Sequence, residues 1–101
     1  MSVLIKGKDI LQRAIETYGS EAQVLMMFEE MAELQKALCK NRRGQYNVTE
    51  IIDEIADVKI MLEQMILLYD IADEVDIRTQ YKIDRLDKRL NGTKEKKNDR
   101  T

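Results

Sequence analysis

Residues 29–57 constrain this chain more than any other stretch. They hold two acidic clusters, Glu30-Met31-Ala32-Glu33 and Glu54-Ile55-Ala56-Asp57, separated by the polar run Asn41-Arg42-Arg43-Gly44-Gln45-Tyr46-Asn47. Each cluster carries its acids at i and i+3. A helical residue turns about 100°, so this spacing puts both acids of a cluster on one face. If the polar run joins two antiparallel helices, Glu30 and Glu33 stand roughly 16 and 12 Å before the turn. Glu54 and Asp57 then stand roughly 9 and 13 Å after it. The four carboxylates converge to within about one helical turn.

A chain of 101 residues builds one small domain with a limited core of its own. It contains no proline and only 4 glycines, so the commonest helix breaker is missing, and an all-α chain of four helices is expected. The reading places a single helical domain over residues 1–90 and a disordered basic tail over 91–101. No apolar run approaches a membrane span and no signal-type apolar segment opens the chain. The lone cysteine, Cys39, has no internal partner to bridge to. A cytoplasmic location without membrane contact is the expectation. The absence of histidine excludes imidazole ligation and histidine acid–base chemistry.

Charge is uneven. Residues 82–101 carry 8 Lys/Arg against 4 Asp/Glu, which leaves −6 on the rest of a chain whose net charge is −2. A basic end suits phosphate groups or an acidic partner. With no interleaved aromatics and no recognisable motif, nucleic acid is not the expected partner.

The first helix is expected from Lys8 to Tyr18 with Ile10, Leu11, Ala14, Ile15 and Tyr18 on one side, ended by Gly19. Ser20, with Gln23 three residues on, reads as a capping box opening a helix to about residue 41. Its apolar seam is read as Val24, Met27, Phe28, Met31, Leu34 and Leu38, with Glu30 and Glu33 off that seam beside Met26 and Ala37. A third helix, about 49–70 with Asn47 or Thr49 as cap, has two apolar stripes. One is Ile51, Ile55, Val58, Leu62, Met65 and Tyr69; the other is Ala56, Ile60 and Leu67. A helix apolar on two sides needs cover on two sides, and a second subunit can supply it. Glu54 projects between Met61 and Met65, where an unpaired carboxylate costs several kcal/mol or takes up a proton. A cation is the simplest compensation. The last helix, about 73–90 with Gly92 past its end, is expected to bury Ala72, Val75, Thr79, Ile83, Leu86 and Leu90. It carries a basic rail of Arg78, Lys82, Arg85 and Arg89.

Paired glutamates on a helix are usually solvated or bonded to lysine. Two level clusters beside apolar side chains make a metal site the competing reading. Carboxylate oxygens without histidine or a cysteine pair suit Mg²⁺ first, then Mn²⁺ or Ca²⁺, and di-iron chemistry of the Glu-x-x-His type is discounted. Mg²⁺ on carboxylates points to phosphoryl chemistry, for which the basic rail supplies countercharge.

The run Glu29-Glu30-Met31-Ala32-Glu33-Leu34 with Ala37, followed by Asp53-Glu54-Ile55-Ala56-Asp57, resembles the Glu-x-x-Glu…Glu-x-x-Asp signature of the MazG-like nucleotide pyrophosphohydrolases. These belong to the all-α NTP pyrophosphatase superfamily. Lys82-x-x-Arg85-x-x-x-Arg89 is similar to that family's basic segment, and the resemblance spans roughly residues 20–90. It implies Mg²⁺-dependent hydrolysis of a nucleoside triphosphate to monophosphate and pyrophosphate, in the service of nucleotide-pool cleansing. It implies a homodimer or homotetramer in which two chains complete the bundle and the site. By the same resemblance Glu30, Glu33, Glu54 and Asp57 hold the metal, one of them or Glu29 or Asp53 orients the water, and Lys82 and Arg85 face phosphates. Two other readings compete: a helical oligomeric interaction module without catalysis, and a protein with a structural ion.

Overall fold

The structure is a computed structural model, and it describes residues 7–95, with side chains to Gly92. The expected arm at 1–6 and the tail from residue 96 on lie outside the described residues. Four helices follow one another: α1 Lys8–Tyr18, α2 Ser20–Arg42, α3 Val48–Tyr69 and α4 Ala72–Glu95, with no strand among the described residues. None of these helices is long and apolar enough to cross a membrane. The chain divides at Asp70–Ile71 into two compact units, α1–α3 and α4.

Gly19 alone separates α1 from α2. Its backbone has φ 91°, a left-handed value open to glycine, and its N–H donates to the Ile15 carbonyl at 2.8 Å. No capping box forms: Gly19 is the N-cap of α2, Ser20 is already helical, and no side chain caps the end. Gln23, read as half of that box, is instead one of the least exposed residues of the chain. Ser20, Glu21 and Ala22 of the first turn stay exposed, and Gln23 alone of the four is buried. From α1, Leu11 and Ile15 are buried while Ile10 and Tyr18 are exposed.

Helices α2 and α3 form an antiparallel pair with a polar seam. One line of buried and half-buried residues runs through Gln23, Met27, Glu30, Leu34 and Ala37 on α2, and through Glu50, Glu54, Met61, Gln64 and Leu68 on α3. The spacing on both helices is 4-3-4-3, with Asp57 filling the α3 series, so the pair meets along a heptad line. This corrects the expected α2 seam, because Phe28, Met31 and Leu38 are exposed and Ala37 is fully buried. The apolar periodicity of α2 points one way, and its seam with α3 lies about a quarter turn from it. The first apolar stripe of α3 is open on one edge, with Ile55, Leu62 and Tyr69 exposed while Ile51, Val58 and Met65 are half-buried. In an antiparallel pair, a quarter turn in the same sense puts both apolar stripes on one side of the pair.

Asn47 closes the hairpin. It is the N-cap of α3 by position, yet its side chain makes no cap bond. Its Nδ2 donates instead to the Ala37 carbonyl at 2.9 Å and to Glu50 Oε1 at 3.0 Å, and Lys40 pairs with Glu50 Oε2 at 3.1 Å. These partners hold the Glu50 carboxyl below its ordinary range, the Asn47 hydrogen bond most, then Lys40. The side chain lacking a Cβ branch at Ala37 leaves room for this approach.

Helix α4, as a unit, buries none of its described side chains. The expected buried stripe is not buried: Ile83, Leu86 and Leu90 are each at least half exposed, and Val75 is half-buried. The helix also runs past Gly92, which keeps a negative φ, to Glu95. Glycine costs a helix about 1 kcal/mol but ends it only where the chain turns left-handed.

The Asn47 clip yields a stability test. Asn47→Ala removes the part-buried bonds to the Ala37 carbonyl and to Glu50, so a loss of about 1–3 kcal/mol in urea denaturation is expected. Lys40→Ala breaks only a part-exposed pair and should cost less than about 1 kcal/mol. Equal losses would show that the charge pair, not the amide, holds the turn.

Candidate metal centre

The heptad seam brings acids of α2 and α3 face to face. One carboxylate oxygen from each of Glu30, Glu54 and Asp57 lies within 4.8 Å of the others. Glu30 and Glu54 are half-buried and Asp57 is exposed, so the cluster opens to solvent at one edge. Glu33 is exposed and outside this group, yet close enough for its charge to act on both Glu30 and Glu54.

Packing these acids together has an electrostatic cost. Glu30 is pushed above its ordinary value of 4.5, first by burial, then by the charges of Asp57 and Glu54, and further by a hydrogen bond with Asp57 and the charge of Glu33. Glu54 is also pushed up, by burial first and then by Asp57, Glu33, Glu50 and Asp53. The leading causes in both cases are burial and neighbouring acids, and all of them raise the pKa. Oε1 of Glu54 is buried with no hydrogen-bond partner among the described residues. The seam thus gathers anionic oxygens at Glu30, Glu54 and Asp57, while Lys40 pairs with Glu50 nearer the turn. An all-carboxylate donor set with an unpartnered inward oxygen fits a hard divalent cation such as Mg²⁺ or Mn²⁺.

Glu30 and Asp57 also form one end of an open pocket of about 430 Å³, whose other walls include Tyr18, Gln23, Met26, Ile60 and Met61. Sequence reasoning did not find this pocket, nor the buried amides Gln23 and Gln64 at 5% and 3% exposure. Their signal was the seven-residue interval: Gln23 precedes Glu30 by seven, and Gln64 follows Asp57 by seven. Seven residues are two turns, so both amides share the acids' face and meet at one level. Oε1 of Gln64 is buried without a partner among the described residues.

The two basic residues predicted to meet phosphates, Lys82 and Arg85, are exposed on α4, in the second unit. The Arg85 guanidinium lies 5.9 Å from the Tyr81 ring centre and that of Arg78 4.7 Å from it, so an aromatic face spaces this part of the rail.

No family model, no curated protein and no solved structure matches this chain.

The raised acids set the pH behaviour of the metal-free protein. A carboxyl whose folded-state pKa exceeds its unfolded one holds its proton more tightly in the fold. Glu30 and Glu54 therefore add stability below about 4.5 that is lost as pH rises through their raised folded-state values. Glu50 works oppositely, and its contribution disappears as pH falls through its lowered value. In chelator, the thermal midpoint of Glu54→Gln relative to the parent should rise as pH is taken from 4.5 to 7. A constant difference over that range would show that the cluster does not strain the fold.

Proposed function

We propose that this chain is a Mg²⁺-dependent nucleoside triphosphate pyrophosphohydrolase, acting in nucleotide-pool cleansing. The observation that carries the reading is the convergence of Glu30, Glu54 and Asp57 within 4.8 Å, on a seam with an unpartnered inward oxygen. The twin acidic motifs, whose resemblance to the MazG-like enzymes is given above, supply the reaction class.

In this reading Glu30, Glu54 and Asp57 hold the cation, and Glu33 joins them from the exposed rim. Bound there, Mg²⁺ (or Mn²⁺) supplies Lewis-acid polarisation of a phosphoryl oxygen and a water of lowered pKa. The chain's residues do the rest. Glu29, Glu33 and Asp53, all exposed beside the cluster, are the candidates to orient the water and take its proton. The water oxygen bonds to the α-phosphorus, the α–β anhydride bond breaks, and pyrophosphate leaves with its electron pair. By the resemblance, Lys82 and Arg85 are the residues proposed to supply countercharge to the departing pyrophosphate.

Assembly belongs to the same proposal. Phe28, Met31 and Leu38 of α2 and Ile55 and Leu62 of α3 are exposed on one side of the pair. Contiguous apolar faces of this kind mark association surfaces. We assign this face to a second copy of the chain, in a homodimer or homotetramer. The rival reading, an interaction module without catalysis, draws on this same face and leaves the acids without a role.

A panel of nucleoside triphosphates with Mg²⁺, followed by pyrophosphate release, tests the activity. Glu54→Gln should lose at least about a hundredfold in turnover, while its metal-free melting temperature is kept or raised. Wild-type hydrolysis retained by both Glu54→Gln and Asp57→Asn would remove the metal assignment. For assembly, sedimentation at micromolar concentration should give at least a dimer; a species near the 11.8 kDa chain mass at every concentration would overturn that part.

A further inference from the structure

We propose that the pocket bounded by Tyr18, Met26 and Ile60 receives the base of the nucleotide, and that the side-chain amide of Gln23 reads the polar edge of that base. The inference rests on the triphosphate reading of the acidic cluster and goes beyond it to a specificity-determining residue.

The shape and position of the pocket come first. It shares Glu30 and Asp57 with the cluster and extends from them along α2 towards α1. Gln23 lies two turns from Glu30, roughly 10 Å along the helix, which is comparable with the span of a nucleoside. A ligand whose phosphates meet a cation at the acids therefore extends its other end to the level of Gln23.

The chemistry of the walls comes next. Met26 and Ile60 offer apolar surface on either helix, and the Tyr18 ring, 68% exposed, is open to stack against a flat ring. Between them sits the Gln23 amide, on the pocket wall in a residue that is only 5% exposed. Its neighbour at the same level, Gln64, holds an Oε1 that is buried and unpartnered among the described residues. An amide on a pocket wall both donates and accepts, so a ligand offering an acceptor and a donor together pairs with both of its atoms. A purely apolar occupant would take water from the amide and give it no partner. A heterocycle with adjacent polar atoms would not, and this selects a nucleobase over an acyl chain or an aliphatic group. Sites of this kind reject ligands that lack the matching polar atoms much more strongly than apolar pockets reject misfits.

The test compares kcat/KM for a panel of nucleoside triphosphates in the wild type, Gln23→Leu and Ile60→Trp. The wild type should rank the bases. Gln23→Leu should lower kcat/KM for the preferred base by about tenfold or more and flatten the ranking, while its thermal stability is kept because an apolar side chain of similar size fills the same largely buried position. Ile60 is 40% exposed, so a tryptophan there fits the fold but fills the pocket. Ile60→Trp should raise KM for every triphosphate and leave Mn²⁺ binding to the acids unchanged. An unchanged base ranking in Gln23→Leu, or an unchanged KM in Ile60→Trp, overturns the pocket while the activity stands. No turnover and no Mg²⁺-dependent nucleotide binding by the wild type would remove the pyrophosphohydrolase reading, and the pocket with it.

Discussion

The structure depends on a seam that is built like a coiled coil and filled largely with acids and amides. Helices α2 and α3 meet at 4-3-4-3 spacing, the pattern that ordinarily packs leucine and isoleucine between helices. Here Gln23, Glu30, Glu50, Glu54, Asp57 and Gln64 occupy many of those positions, with Met27, Leu34, Ala37, Met61 and Leu68 between them. Each fully buried apolar side chain would contribute about 1.5–3 kcal/mol at such a position, and each unpaired polar group there opposes folding by about 1–3 kcal/mol. Such a seam persists only if other features hold the helices in register.

Two features do so. At the turn, Asn47 bonds the Ala37 carbonyl across the hairpin and Glu50 along its own helix, and Lys40 completes the group. Fully buried Ala37 lets the backbones come close there, and a larger side chain would force them apart. At the other end, Gly19 turns α1 back so sharply that Leu11 and Ile15 are buried beside the seam. The acids lie between these two supports, which keep Glu30, Glu54 and Asp57 close despite their mutual repulsion. Register at the turn thus becomes geometry at the site, because one helix sets the height of the other's carboxylates.

Much of this was legible in the sequence. The absence of proline, the glycine at 19 and the polar run at 41–47 mark the helices to within a few residues, and the acid spacing locates the cluster. The position of the seam was not legible, for a physical reason. Periodicity reports where apolar residues lie, and in α2 and α3 these lie about a quarter turn from the seam. Phe28, Met31 and Leu38 therefore read as core and are exposed, while Gln23 read as a cap and is buried. The half-burial of Glu54 was legible because a single charged residue beside Met61 and Met65 stands out against its neighbours. Gln23 and Gln64 carried no such contrast, since glutamine is common on any helical face. In α4 the pattern Ile83, Leu86, Leu90 is a genuine apolar stripe, but periodicity cannot say whether the chain itself covers it.

A seam poor in apolar contacts and an outer side rich in them divide two tasks between two faces of one helix pair. Five exposed apolar residues, Phe28, Met31, Leu38, Ile55 and Leu62, are each about half exposed. Covering what remains of them would contribute on the order of 1 kcal/mol each, or several kcal/mol per chain and twice that for a symmetric pair. That is comparable with the roughly 4–15 kcal/mol that association costs, so a second copy on this face would be stable only with further contacts. In the proposed function the polar seam and the apolar outer faces are linked: acids and amides take positions between the helices that apolar side chains would otherwise fill, and a second copy would cover the apolar surface left outside. A variant that made the seam apolar should then weaken the need for a partner as well as the site.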